Sequence, residues 1–198
     1  MKTKPFCAPA LAAALSLTAI PAFAQETVSA APVADPDAAL QTMVGKKAPA
    51  FVLPDQNDKT VRLKDSKGKW VVLAFYPADM TPGCTFQNRS YSQNFEKFAP
   101  LNAVVYTVST QNTGSKREFC SKESLKNVLL SDIEGKTAKA YGVLKGTVAR
   151  RVTFYIDPAG NIAAIDTRPK VQQAAEDSIA MLEKLSAGKT RTNERKGR

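Results

Sequence analysis

The stretch Lys69-Trp70-Val71-Val72-Leu73-Ala74-Phe75-Tyr76-Pro77-Ala78-Asp79-Met80-Thr81-Pro82-Gly83-Cys84 decides how this chain is read. Residues 70 to 76 form an unbroken apolar run that stops at Pro77. Without polar alternation, such a run predicts a strand buried on both faces. Pro82 suits the first turn of a helix. From Pro82 to Phe98 the spacing is helical, with Tyr91, Phe95 and Phe98 sharing one face before Pro100 closes the segment. Ala103 to Ser109 reads as a second buried strand. Strand, helix and strand within about forty residues make a βαβ unit, hence a parallel pair with a right-handed crossover.

Working outward, the pattern predicts a helix from about Gly114 to Ser124, a short strand at 128–130 and a short helix from Lys136 to Tyr141. Val152 to Ile156 and Asn161 to Ile165, joined by Asp157-Pro158-Ala159-Gly160, predict a hairpin. An amphipathic helix follows from Lys170 to Leu185. Early parallel strands and a late hairpin predict an α/β domain whose mixed central β-sheet is flanked by helices on both faces, over residues 43–187. Ahead of it, Met1 to Ala24 has a basic start, an apolar middle and an Ala22-Phe23-Ala24 ending, the pattern of a secretory signal peptide cleaved after Ala24. Residues 25–42 read as a flexible leader and 188–198 as a disordered basic tail. An exported, periplasmic protein follows, with no membrane span once the signal is removed.

The 198 residues include no histidine and only three cysteines. That excludes a Ser-His-Asp triad, a Cys-His dyad and any His-ligated metal or haem, and three thiols are too few for a four-thiolate centre. Neither a metal nor a cofactor is expected. The net charge of +10 admits an anionic partner but names none. Removing residues 1–24 leaves +8, of which the tail carries +4. No basic–aromatic interleaving in the folded part supports a specific nucleic-acid partner.

Signal cleavage also removes Cys7, leaving Cys84 and Cys120 in a compartment where disulfides persist. Cys84 stands between a buried strand and a helix start, where α/β proteins place ligand sites. Backbone N–H groups of a first helical turn lack intrahelical acceptors, and together with the helix dipole they stabilise a thiolate there. Thr81 can put a hydroxyl beside the sulfur. The alternative, an inert buried thiol, fits poorly with a Thr-Pro-Gly turn.

The motif Phe75-Tyr76-Pro77-x-x-x-Thr81-Pro82-Gly83-Cys84-Thr85-x-Gln87 resembles the active-site loop of peroxiredoxins of the Q type, the bacterioferritin-comigratory-protein subfamily. Gly45-Lys46-Lys47-Ala48-Pro49-Ala50-Phe51 and Arg151-Val152-Thr153-Phe154-Tyr155-Ile156-Asp157 extend the likeness over about residues 43 to 186. The resemblance implies a thioredoxin-like fold and reduction of hydrogen peroxide or organic hydroperoxides. It implies that Cys84 is the peroxidatic cysteine, that Thr81 bonds the peroxide, that Pro77 shields the pocket and that Arg151 supports the thiolate. Of the neighbours Arg150 and Arg151, strand alternation turns only one toward the pocket, and the motif selects Arg151. A site of Cys, Thr, Arg and backbone needs no histidine, because an already ionised sulfur needs no general base.

Many Q-type members carry a resolving cysteine five residues after the peroxidatic one, where this chain has Arg89. The resemblance then implies resolution by Cys120, 36 residues on, as in members that use the following helix with local unwinding. The other reading is a core-facing Cys120 and an external resolving thiol. A thioredoxin-like or other dithiol reductant and a monomer are the further implications. Tyr91 and Ser92 depart from the subfamily's usual apolar–Arg pair. A disulfide oxidoreductase would need Cys-x-x-Cys, and Gln87 stands where the second cysteine would be. A copper carrier on this fold would want a close Cys pair and a His, and a binding module working through its basic tail is the remaining alternative.

Overall fold

The computed structural model describes residues 35–196, with side chains through residue 188. The signal-peptide reading, residues 25–34 of the leader and the side chains of the tail lie outside the described residues. In chain order the elements are α1 (Pro36–Gln41), β1 (Val52–Pro54), β2 (Thr60–Arg62), β3 (Trp70–Phe75), α2 (Pro82–Gln93), β4 (Ala103–Ser109), α3 (Thr113–Glu123), β5 (Val128–Ser131), α4 (Lys136–Ala140), β6 (Leu144–Lys145), β7 (Val148–Ala149), β8 (Val152–Ile156), β9 (Ile162–Asp166) and α5 (Ala174–Lys196).

The central sheet has the order β5-β4-β3-β8-β9, with β3 parallel to β4 and antiparallel to β8. It is the expected mixed sheet, built around the apolar run. Every residue of β3 is buried, and alternation along it separates two cores. Val71, Leu73 and Phe75 pack with Leu40, Leu130, Tyr141 and Phe154 on the face covered by α1, α4 and the β1–β2 hairpin. Trp70, Val72 and Ala74 pack with Tyr91, Phe98, Tyr155 and Leu182 under α2 and α5 on the other. The Asp157–Gly160 turn forms as expected. Asp157 Oδ1 accepts the Ala159 and Asn161 amides at 2.9 Å, and Gly160 takes φ 82° to close it.

Several boundaries differ from the sequence expectation. The α-helix from Pro82 ends at Gln93, and Phe95–Leu101 continue as a 3₁₀ segment. The cause is Asn94, whose side chain bonds the Ser90 carbonyl at 3.0 Å and the Glu176 carboxylate at 3.0 Å. Residues 35–42 are not a flexible leader. Asp35 caps Asp37 N–H at 2.9 Å, Pro36 occupies the first turn, and Leu40 is buried in the core. The backbone of α5 continues past Leu185 through most of the segment expected to be a disordered tail. That segment has no proline, and its Lys, Arg and Glu residues between Gly188 and Gly197 are good helix formers. The β1–β2 and β6–β7 hairpins had no counterpart in the sequence reading. No helix among the described residues is long and apolar enough to cross a membrane.

Candidate active site

The register of the sheet sets the site. Phe75 at the end of β3 lies opposite Val152 at the start of β8, so continuing the pairing puts Arg151 opposite Tyr76. The Pro77–Thr81 loop then carries the chain from β3 to Pro82, and Cys84 falls in the first turn of α2. Thr85 N–H is the first to find a helical acceptor, Thr81 O at 2.8 Å. The N–H of Cys84 precedes it and has no intrahelical carbonyl to bond, which leaves it directed at whatever approaches the helix end.

Cys84 is buried, 1% exposed, and its Sγ accepts a hydrogen bond from Arg151 Nη2 at 3.2 Å. The other arm of that guanidinium, Nη1, donates to Gln87 Oε1 one helical turn beyond Cys84. A planar fork held at one nitrogen is aimed at the other, so Gln87 fixes where the cation meets the sulfur. The buried Gln87 Nε2 has no hydrogen-bond partner. Arg150 turns away and pairs with Asp37 of α1. Thr81 sits at the N-cap and is exposed, and its hydroxyl donates to Ala78 O at 3.1 Å within the loop rather than capping the helix. Pro77, half-buried, ends the strand beside these groups.

Beneath the loop lies a polar cluster that sequence reading did not find. Lys116 and Asp79 form an ion pair at 2.8 Å with side chains 0% and 1% exposed. Asp79 Oδ1 also accepts from Tyr76 Oη at 2.6 Å and Ser109 Oγ at 3.2 Å, while Oδ2 accepts from Ser115 Oγ at 2.6 Å. Lys116 Nζ donates further to Tyr76 Oη at 3.1 Å and to Ser109 Oγ, and stands 4.9 Å from the Tyr76 ring centroid. Burial draws the Lys116 ammonium below the usual lysine range against the opposing pull of Asp79. It drives the Tyr76 phenol well above its usual range, and Asp79 adds to that. The available signal was the position of Lys116, between Ser115 and the apolar side of α3 marked by Phe119.

Cys120 lies on α3, four residues beyond Lys116 and half-buried against Tyr76, Cys84, Phe119 and Leu129. Both cysteines are free thiols. Burial, reinforced by the Asp79 charge, pushes the Cys120 thiol up to about 11, with Lys116 pulling the other way. Arg89, where a resolving cysteine was considered, instead ties α2 to α3 by donating from Nε to Glu123 Oε2 at 2.6 Å. The structure thus brings Cys84, Arg151 and Gln87 into direct contact. Thr81 stands at their helix end and Cys120 in the packing behind.

Residues 44–165 match the model of the AhpC/TSA family. The chain is 36% identical over 151 residues to peroxiredoxin Bcp of Bacillus subtilis, covering 72% of this chain and 96% of that one. The fold resembles that of peroxidoxin BcpB from Mycobacterium tuberculosis, with a TM-score of 0.66, 30% identity, and coverage of 71% of this chain and 96% of the other. It also resembles a Cys→Ser mutant of Xanthomonas campestris peroxiredoxin Q, with a TM-score of 0.64, 26% identity, and 67% and 89% of the two chains. A second such mutant of that protein matches equally, and the two mutated cysteines lie 36 residues apart in its sequence.

Proposed function

We propose, from the premise that this chain belongs to the AhpC/TSA family and is a thiol-dependent peroxidase of the Q-type peroxiredoxins, that Cys84 attacks the hydroperoxide and Cys120 resolves the product. The thioredoxin-like fold and the peroxidase chemistry come with the family. The assignment of roles rests on the Arg151–Cys84 contact. A permanent cation donates to the sulfur at 3.2 Å and its fork can also bond an arriving peroxide oxygen. The thiolate attacks the terminal oxygen of R–O–OH, the O–O bond breaks, and Cys84 becomes a sulfenic acid. The departing alkoxide takes a proton from water and leaves as R–OH. Arg151 and the N–H of Cys84 hold the charge passing between the oxygens, Thr81 orients the peroxide from the helix end, and Pro77 shields the pocket from water.

Condensation of the Cys84 sulfenic acid with the Cys120 thiol releases water and forms the Cys84–Cys120 disulfide. The spacing of 36 residues supports this pairing, because it equals that of the two cysteines mutated in the Xanthomonas protein. A thioredoxin-like dithiol then exchanges into the disulfide and returns both thiols. The amino-terminal signal pattern supports action in the periplasm, where an exported dithiol protein would supply the electrons.

The test is consumption of hydrogen peroxide and an alkyl hydroperoxide with a thioredoxin-type reductant, on wild type, Cys84→Ser, Cys120→Ser and Arg151→Lys. Cys84→Ser abolishes turnover, and Cys120→Ser retains the first attack but loses steady-state turnover. Arg151→Lys keeps the charge, loses the fork, and slows the first step about ten- to a hundredfold. Mapping of disulfides after one equivalent of peroxide should give the Cys84–Cys120 bond. A lasting Cys84 sulfenic acid beside a free Cys120 refutes the intramolecular cycle.

A further inference from the structure

The loop between β3 and α2 is pinned into the interior at one residue. Asp79 is buried, and its carboxylate draws hydrogen bonds from the ends of β3 and β4 and from the start of α3. Tyr76 Oη, just past β3, donates at 2.6 Å, and Ser109 Oγ, the last residue of β4, at 3.2 Å. From the first turns of α3, Lys116 Nζ donates to the same oxygen at 2.8 Å and Ser115 Oγ to the other at 2.6 Å. The Asp79 N–H adds a further tie, to Gln111 Oε1 at 3.3 Å.

The residue after this anchor is strained. Met80 has φ 58°, in the left-handed region that a bulky L-residue rarely enters. Its side chain is exposed, so burial of that side chain does not hold the turn. The turn is held from its two sides. Asp79 fixes the chain before it, and Thr81 Oγ1 bonds across it to Ala78 O at 3.1 Å. Thr81 then returns to extended backbone, φ −79° and ψ 148°, as the N-cap of α2. The direction in which Thr81 leaves the loop is thus set by the turn at Met80. With its proton committed to Ala78 O, the Thr81 hydroxyl keeps only lone pairs for the O–H of a hydroperoxide. Backbone in a sparsely populated region persists where its surroundings over-determine it, and such strain accompanies pre-organised sites.

We propose that Asp79 is a positioning residue for the peroxide: anchored by Ser115 and Lys116, it holds the left-handed turn at Met80 and so fixes the Thr81 hydroxyl where the hydroperoxide bonds. The anchor rests on the peroxide-orienting role of Thr81 proposed above. Without it Met80 relaxes toward ordinary backbone and Thr81 turns away, while Cys84 stays in α2 against Arg151. The anchor therefore acts on the orientation of the substrate and not on the sulfur. The buried lysine has its place in this scheme, because it lets a carboxylate be sunk beneath the loop with its charge matched.

The experiment compares wild type, Thr81→Val, Met80→Ile and two double variants, Asp79→Ala with Lys116→Met and Asp79→Asn with Lys116→Met. Both double variants remove both charges and leave no unpaired ion in the core, but only the asparagine keeps a side-chain oxygen for Tyr76 and Ser109. Met80→Ile leaves the anchor intact and sets a β-branched side chain against the left-handed turn at an exposed position. Two rates are read at Cys84 by quenching and mass spectrometry: oxidation by hydrogen peroxide, and alkylation by iodoacetamide, which needs the sulfur but no bond to Thr81. The alanine double variant should react with peroxide about tenfold more slowly than wild type, as a misplaced orienting group implies. The asparagine double variant should stay within about threefold of wild type, and Met80→Ile should lose about three- to tenfold. In none of them should alkylation fall by more than about twofold. A loss of both rates together means a general disturbance of the helix start and overturns the positioning role. If Thr81→Val is slow with peroxide while Met80→Ile or a folded alanine double variant keeps the wild-type rate, the anchor alone is overturned. A wild-type peroxide rate in Thr81→Val overturns the role of Thr81, and the anchor with it.

Discussion

At the scale of single residues, the two cysteines differ by what surrounds them. Cys84 meets a guanidinium, while Cys120 sits half in an apolar pocket and close enough to Asp79 to feel its charge. Because the thiolate is the reactive form, a thiol pushed up to about 11 is nearly inert at neutral pH. The sign is fixed by the causes. Burial and a nearby anion both disfavour the thiolate, so reactivity rises with pH up to that value instead of levelling off near the ordinary cysteine range. In Cys84→Ser, the only other cysteine beyond the signal region is Cys120, so its rate of reaction with iodoacetamide can be followed alone. At pH 8 that rate should be about a hundredfold lower in the folded protein than in urea, and it should climb through pH 10 with no plateau. Equal folded and unfolded rates at pH 8 would contradict the buried seat of Cys120. The motif residues Pro77, Thr81, Cys84 and Arg151 were legible in the sequence because each is a residue type placed by its neighbours along the chain. Lys116 was not, since a lysine on a helix reads as solvent-facing, and only the fold brings Asp79, Tyr76 and Ser109 around it.

At the scale of elements, the apolar run of Trp70–Phe75 and the largely apolar Ala103–Ser109 announced their strands. Short or one-sided elements did not. Val52 is largely exposed and Pro54 ends its strand, so β1 carries neither alternation nor length, and it is defined by its pairing with β2. α1 was illegible for a related reason. Its sequence Pro-Asp-Ala-Ala-Leu-Gln has one large apolar side chain, and one is too few to show a period. That single residue holds the helix down, with the Asp37–Arg150 pair at its start and the Gln41 amide bonded to Ile165 O at 3.3 Å near its end. Leu40→Ala should cost about 2–5 kcal/mol in urea unfolding, the range for a buried leucine truncated in a packed core. A loss below half a kcal/mol would mean that α1 is not part of the cooperative unit. Arg151 is set by a longer chain of causes, since α1 occupies its neighbour Arg150 and the β3–β8 register turns Arg151 inward.

At the scale of the whole molecule, the +10 charge is concentrated at the ends, with two lysines in the first 24 residues and +4 in the last eleven. The site owes nothing to that charge, since its cation is Arg151 and its buried lysine is matched by Asp79. Removal of residues 189–198 should therefore leave the rate constant for peroxide unchanged within about twofold, whereas a basic tail that steers substrate would make that rate salt-dependent and tail-dependent. A tail truncation that slows reaction with uncharged hydrogen peroxide would show that α5 supports the site. The central strand also fixes what optical methods can see. The chain has one tryptophan, Trp70, which opens β3, while the reacting sulfur lies beyond the strand's other end. Strand geometry puts roughly 17 Å between Trp70 and Phe75, with Cys84 farther on. Indole emission is thus insulated from the chemistry at sulfur itself. Any change in it during the catalytic cycle reports strain carried along β3 and into the packing under α2, which makes this fluorophore a gauge of the scaffold's response and gives it a kinetic signal separable from oxidation of the thiol.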